Sequence, residues 1–157
     1  MRILSVDIGT RNFGYAVWDS GKITDFGVLD LDNYCKGTDY ARKIYRLQEV
    51  GFFNTADLIL VEIQMKTSMK ILANSIRCMN WHKTIRIAPQ CVKRHFKTFT
   101  KKHSTNKKAH IALLHQLHPR LCTSSKYIGL PKKDDVADAV IQLQYFINCK
   151  LDLYKDT

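Results

Sequence analysis

Acidic side chains are missing from the whole middle of this chain. Glutamate occurs only twice, at positions 49 and 62, and between Glu62 and Asp134 there is neither Asp nor Glu. That stretch, Ile63 to Lys133, carries 16 Lys+Arg, against 9 bases and 14 acids elsewhere, so the net +11 divides into +16 in the middle and −5 outside it. Solvated surfaces normally mix signs, and an acid-free basic stretch of this length points to a polyanion, nucleic acid ahead of a membrane surface. Long apolar runs are absent too. Leu58-Ile59-Leu60-Val61 is representative, far short of the roughly 20 residues of a spanning helix, so no membrane partner is expected. The N-terminus shows neither an apolar signal segment nor a small-residue cleavage site. Cys-x-x-Cys pairs are lacking, and five cysteines (35, 78, 91, 122, 149) make an odd set that suits reduced thiols in an intracellular, reducing compartment. Cys78/His82 and Cys91/His95 each sit at i, i+4 and could in principle share zinc. However, Thr84 to Ala88 alternates like a strand and Pro89 starts a new element between the pairs. What is present is a core: 45% apolar and 10% aromatic residues exclude a disordered basic tail. The length of 157 residues suits one domain, 1–157.

Six of the seven glycines fall within the first 51 residues, and that part reads as strands and tight turns. Residues 1–8 alternate, with Leu4, Val6 and Ile8 on one face and Ile3, Ser5 and Asp7 on the other. Phe13–Trp18 and Lys22–Leu29 continue as strands around a hairpin signal at Asp19-Ser20-Gly21, giving a three-strand meander. Asp39–Val50 reads as a helix stopped by Gly51, and Asp57–Ile63 as a strand apolar enough to be buried on both faces. From Met65 to Asn80 the apolar residues Met65, Met69, Leu72, Ile76 and Met79 recur at helical steps. Core packing is the default for such a stripe; a methionine-rich one also suits a subunit interface. A strand at Thr84–Ala88 and a helix opening at Pro89 follow. A second helix spans about Lys107 to Leu117, a Ser/Gly/Pro-containing connector comes next, and the last helix is Asp134–Asn148. The expected architecture is α/β: a mixed five-stranded sheet, an antiparallel meander plus two parallel strands, flanked by helices.

Carboxylates stand where such a fold would gather them. Asp7 closes the first strand, Glu62 closes an otherwise apolar one, and Asp135 and Asp138 lie along the edge of the apolar stripe Val136, Ala139, Val140, Leu143 and Ile147. If the first and fourth strands are neighbours, all four acids converge. Carboxylates that close repel unless cations neutralise them. Hard oxygen donors select Mg²⁺ or Mn²⁺, and two such ions roughly 3.5–4 Å apart serve phosphodiester hydrolysis. The competing role for acids at a helix start is capping, which Asp134 alone would satisfy.

Ser5-Val6-Asp7-Ile8-Gly9-Thr10-Arg11-Asn12-Phe13-Gly14-Tyr15-Ala16-Val17, Leu60-Val61-Glu62 and Asp135-Val136-Ala137-Asp138-Ala139 resemble the three acidic motifs of the RuvC-like Holliday junction resolvases of the RNase H-like superfamily. Order, spacing and total length agree, and Lys-Lys-Asp-Asp-Val-Ala-Asp-Ala is most similar to the poxvirus branch. The resemblance implies an RNase H-like fold and a homodimeric endonuclease dependent on two Mg²⁺ ions per site, with Mn²⁺ as a substitute and no small-molecule cofactor. It also implies paired, symmetric nicks in four-way or branched DNA, and for a poxvirus protein work in the host cytoplasm. Asp7, Glu62, Asp135 and Asp138 take the metal-binding, catalytic positions. Lys93 of Cys91-Val92-Lys93 and Lys108 of Lys108-Ala109-His110-Ile111 match lysines that approach the scissile phosphate, with Lys102 or Lys107 as alternatives to Lys108. Lys97 and Lys101 join Lys93, Lys102, Lys107 and Lys108 as the expected DNA track. In the bacterial enzymes the helix after the Glu strand carries much of the dimer interface, which would give the Met65 to Met79 stripe a partner.

Three other readings use parts of the same pattern. Asp7-x-Gly9-Thr10 also resembles the first phosphate loop of actin-like ATPases and sugar kinases, but those close a second similar domain over the nucleotide, for which this length has no room. A nuclease acting on RNA/DNA hybrids would use the same acids on a differently shaped substrate. An inactive nucleic-acid-binding module would be expected to have lost an acid, and all four are present.

Overall fold

The computed structural model describes the backbone of residues 1–98 and 103–154, and the side chains of 1–98 and 108–154. Alternation in the first strand decides the layering. In β1 (Arg2–Ile8) the residues Leu4, Val6 and Ile8 enter one core cluster and Ile3 enters the other, as a side-chain period of two requires. β2 (Asn12–Asp19) and β3 (Lys22–Asp30) complete the antiparallel meander, joined by a two-residue turn in which Ser20 and Gly21 both have positive φ. Such a turn follows the right-handed twist of its strands. β4 (Leu58–Glu62) pairs parallel with β1, and β5 (Thr84–Ile87) pairs parallel with β4. The sheet order is therefore β3-β2-β1-β4-β5, and β4 is buried on both faces through Ile59, Leu60 and Val61.

On one face lie α1 (Tyr40–Glu49) and α2 (Thr67–Met79), which put Ile44, Leu47, Leu72 and Ile76 against β1 and β4. Asp39 caps α1 by accepting from the Arg42 backbone N–H at 3.0 Å. The other face is covered by α7 (Lys133–Cys149), with α3 (Pro89–His95) and α4 (His103–Leu117) beside it. Buried Gln142 fastens α7 across the sheet, its Nε2 donating to Ser5 Oγ at 3.0 Å, to the Leu60 carbonyl at 3.2 Å and to the Val6 carbonyl at 3.3 Å.

Local expectations needed three corrections. The connector before α7 folds into two short helices, α5 (Pro119–Cys122) and α6 (Ser125–Ile128), the latter capped by Ser124. α4 begins at His103, four residues before the expected start. Asp134 is not the cap of α7; Lys132 occupies that position without a side-chain hydrogen bond, and Asp134 and Asp135 both fall in the first turn, where negative charge suits the helix dipole. Among the described residues no helix is long and apolar enough to cross a membrane.

Candidate active site

β1 and β4 run parallel with Ser5 opposite Leu60 and Val6 opposite Val61, so Asp7 and Glu62 follow side by side at the same end of adjacent strands. Leu60 belongs to the core under α7, and Ser5 is held by Gln142 of α7. The strand period sends Asp7 and Glu62 to that same face. On its other side Asp7 pairs with Gly14 of β2. Gly14 is where α7 touches down: a Cβ there would lie 2.4 Å from the Asp135 carbonyl oxygen and 3.0 Å from the Asp135 Cβ. The missing side chain lets the first turn of α7 rest on the strand beside Asp7, and Asp138 follows one turn later toward Glu62.

Electrostatics ties Glu62 to the helix acid. Burial is the largest influence holding the Glu62 carboxyl above the ordinary glutamate range, and the negative charge of Asp138 adds to it. Gln64 Nε2, which donates to Glu62 Oε2 at 3.0 Å, and the neighbouring Lys93 and His110 act in the opposite direction. Burial and a nearby like charge both disfavour the ionised form of a carboxyl. Among the described residues no group of three His, Cys, Asp or Glu side chains is drawn together tightly enough to hold a metal ion. The donors at this end of the sheet, Asp7, Glu62, Asp135 and Asp138, are nevertheless all carboxylates, the donor type of Mg²⁺ and Mn²⁺. By donor chemistry, and with Asp138 repelling Glu62, this set fits a hard divalent cation. The zinc arrangement gains no support, because Cys78 on α2 and Cys91 on α3 are exposed on helices that cover opposite faces of the sheet.

One neighbour of the carboxylates escaped the sequence reading. His110 on α4 is only 7% exposed, and its Nδ1 lies 2.5 Å from Asp138 Oδ1 while its Nε2 lies 3.1 Å from Thr98 Oγ1. The available signal was spacing: His110 and Leu114, at i and i+4, share the inward face of α4. Lys43, away from these four acids, also escaped the sequence reading: 2% exposed on the inner face of α1, its Nζ donates to Asp32 Oδ1 at 2.5 Å and to the Thr10 carbonyl at 3.3 Å. It ties α1 to the turn that follows Asp7.

The basic residues are dispersed. Lys93, on α3, is close enough to influence Glu62. Lys97, at φ +55°, and Lys108, on α4, are exposed. Lys107 lies on α4 with its side chain outside the described set, and Lys101 and Lys102 are outside the described residues altogether. In the Met65 to Met79 stripe the default expectation of core packing holds for the middle residues. Leu72 and Ile76 are fully buried in the chain's own core and Met69 packs partly against it, so these three present little or nothing to a second copy. Met65, 78% exposed, and Met79, at 36%, remain at the surface.

Comparison with known proteins bears on this arrangement. Residues 1–149 match the family model described as Poxvirus A22 protein. No curated protein sequence matches the chain. Among solved structures, the fowlpox virus resolvase bound to substrate Holliday junction DNA superposes with TM-score 0.64 at 20% identity, over 96% of this chain and 99% of that one. The yeast mitochondrial Holliday junction resolvase Ydc2 gives 0.67 at 14% identity, over 96% and 85%. RuvC of T. thermophilus with a Holliday junction substrate gives 0.60 at 11% identity, over 96% and 97%. These likenesses share the mixed five-stranded sheet and its flanking helices, the RNase H-like arrangement expected above.

Proposed function

Since the chain belongs to the poxvirus A22 protein family, we propose that it is a nuclease that resolves four-way DNA junctions, acting as a homodimer that nicks opposing strands. The observation that supports this reading is that Asp7 and Glu62 end adjacent parallel strands, with the Asp135 backbone against Gly14 beside Asp7 and the charge of Asp138 felt at Glu62, at the border of an acid-free basic segment. Structures of resolvases on junction DNA, from fowlpox virus and from T. thermophilus, share the fold and agree with it. Viral membership suits work in the host cytoplasm.

In this reading the four carboxylates hold divalent cations, Mg²⁺ with Mn²⁺ as a substitute, which supply Lewis acidity and lower the pKa of bound water. The chain's own residues set the stage. Gly14 and Gln142 hold α7 against the sheet, so Asp135 and Asp138 are presented beside Asp7 and Glu62. His110 fixes one oxygen of Asp138. Lys93 offers positive charge next to Glu62, where charge builds on the phosphate as water adds to phosphorus and a P–O bond to sugar breaks. Lys97 and Lys108, both exposed, extend positive charge for the DNA backbone.

The test is cleavage of a four-way junction, a plain duplex and an RNA/DNA hybrid in Mg²⁺, with strand mapping of the junction products. Paired cuts across the junction, lost in Asp7→Asn while junction binding persists, are expected. Cleavage by Asp7→Asn would refute the assignment of the acids, and preferential cutting of the hybrid would replace the substrate.

A further inference from the structure

The basic segment also lines a cleft whose inner end is closed by Glu62 of the carboxylate site. It lies between α2 and the outermost strand β5, on the face of the sheet away from α7. Lys70, Ala73, Asn74 and Arg77 of α2 line it at i, i+3, i+4 and i+7, a single helical stripe, and Gln64, Thr84 and Arg86 line the rest. Arg86 is paired with Val61, whose side chain is in the α1/α2 core, so Arg86 emerges on the α2 side. The cleft has a volume of about 110 Å³ and extends along residues Val61 to Ile63, so its inner end abuts the strand end that carries Glu62.

Charge is what makes this cleft unusual. Among the described residues no carboxylate pairs with Lys70, Arg77 or Arg86. With Glu62 as the lining's one carboxylate, the three exposed cations leave the cleft net positive, which favours an added anion. Asn74 supplies amide N–H donors and Gln64 a further N–H beside the one it gives to Glu62, while the Thr84 hydroxyl donates to the Asn80 carbonyl. Two guanidinium groups, an ammonium and neutral donors form a set matched to a phosphate, which guanidinium forks bind bidentately.

We propose that the α2–β5 cleft seats a backbone phosphate of the DNA substrate other than the one being cut, held by Arg77, Arg86 and Lys70. The proposal rests on the nuclease reading above and adds to it a second point of contact on the opposite face of the sheet. A strand held there and at Glu62 passes around the β4–β5 edge, which fixes how the backbone enters the site.

The test compares wild type, Arg77→Gln/Arg86→Gln, the charge-preserving Arg77→Lys/Arg86→Lys and, as a control on a remote exposed base, Arg42→Gln. Binding to a fluorescent four-way junction is measured in Ca²⁺ across salt concentrations, with thermal unfolding and sedimentation alongside. The glutamine pair should bind about tenfold more weakly and lower the magnitude of the log K versus log salt slope by about 1. The lysine pair should keep the slope and lose part of the affinity, since it retains charge without the fork. Arg42→Gln should match wild type. Wild-type affinity and slope in the glutamine pair, with unfolding unchanged, would overturn the cleft while leaving cleavage by the wild type, and so the nuclease reading, intact. A change in sedimentation with an unchanged slope would assign these arginines to a subunit contact and also overturn the proposal. If wild type neither bound nor cut the junction, both readings would fall.

Discussion

Replacing Gly14 by alanine perturbs the close contact between β2 and the first turn of α7 beside Asp7. The new Cβ would stand 2.4 Å from the Asp135 carbonyl oxygen, 2.7 Å from its carbonyl carbon and 3.0 Å from its Cβ. A carbon normally approaches a carbonyl oxygen to about 3.3–3.6 Å, so something must yield by roughly 1 Å. The obstructing atoms are mostly backbone, and α7 is fastened further along by Gln142 and by a core that includes Val136, Ala139, Val140 and Leu143. The helix cannot slide away as a unit; its first turn must lift or unwind. Overpacking of this kind costs about 1–3 kcal/mol, and for a chain of this size about 2 kcal/mol corresponds to a Tm lowered by about 4–8 °C. The consequence for catalysis is larger, because a displacement of roughly 1 Å in a positioned group can cost on the order of 100-fold in rate. Thermal unfolding in chelator gives the first quantity, and single-turnover cleavage of a saturated four-way junction gives the second. A Gly14→Ala protein that melted within about 1 °C of wild type and cut at the wild-type rate would refute the seating of α7 on β2.

Two further expectations concern histidines. His110→Ala removes the ring that holds Asp138 Oδ1 and reaches Thr98; cleavage or apparent Mg²⁺ affinity should fall about 10–100-fold, with partial recovery in His110→Asn, whose amide N–H can reach toward the same oxygen, as read by Mg²⁺ titration of both binding and cleavage. Far from the site, burial holds the His118 imidazole below the ordinary histidine range, against the raising effect of its hydrogen bond to Gln144 at 3.1 Å. Below about pH 6.5 the unfolded chain therefore binds more protons than the folded one, and stability should decline as pH falls through that range. His118→Gln should flatten that part of a Tm profile taken from pH 7.5 to 5.5, and an unchanged profile would remove His118 as its source.

Strands, layers and acids were legible because each leaves a local mark. The alternation of β1 already separated Leu4, Val6 and Ile8 from Asp7, and a wholly apolar run ending in Glu62 could only be a central strand carrying an acid at its end. His110 and Lys43 left no comparable mark, because a polar residue on the inner face of an amphipathic helix is identifiable only once its partner, Asp138 or Asp32, is known to lie opposite. The methionine stripe was ambiguous for a related reason: Leu72 and Ile76 face the sheet, while Met65, though it continues their period in the sequence, precedes the start of α2 at Thr67 and is exposed. The acid-free segment shows the same limit on a larger scale. Along the chain it is one run of positive charge, but β5 is the edge of the sheet, and the run crosses from one face to the other there. Lys70, Arg77 and Arg86 fall on the α2 side, Lys93 and Lys108 on the α7 side. The absence of acids over so many residues thus keeps both faces of one sheet edge attractive to the same polyanion, with Glu62 at the strand end between them.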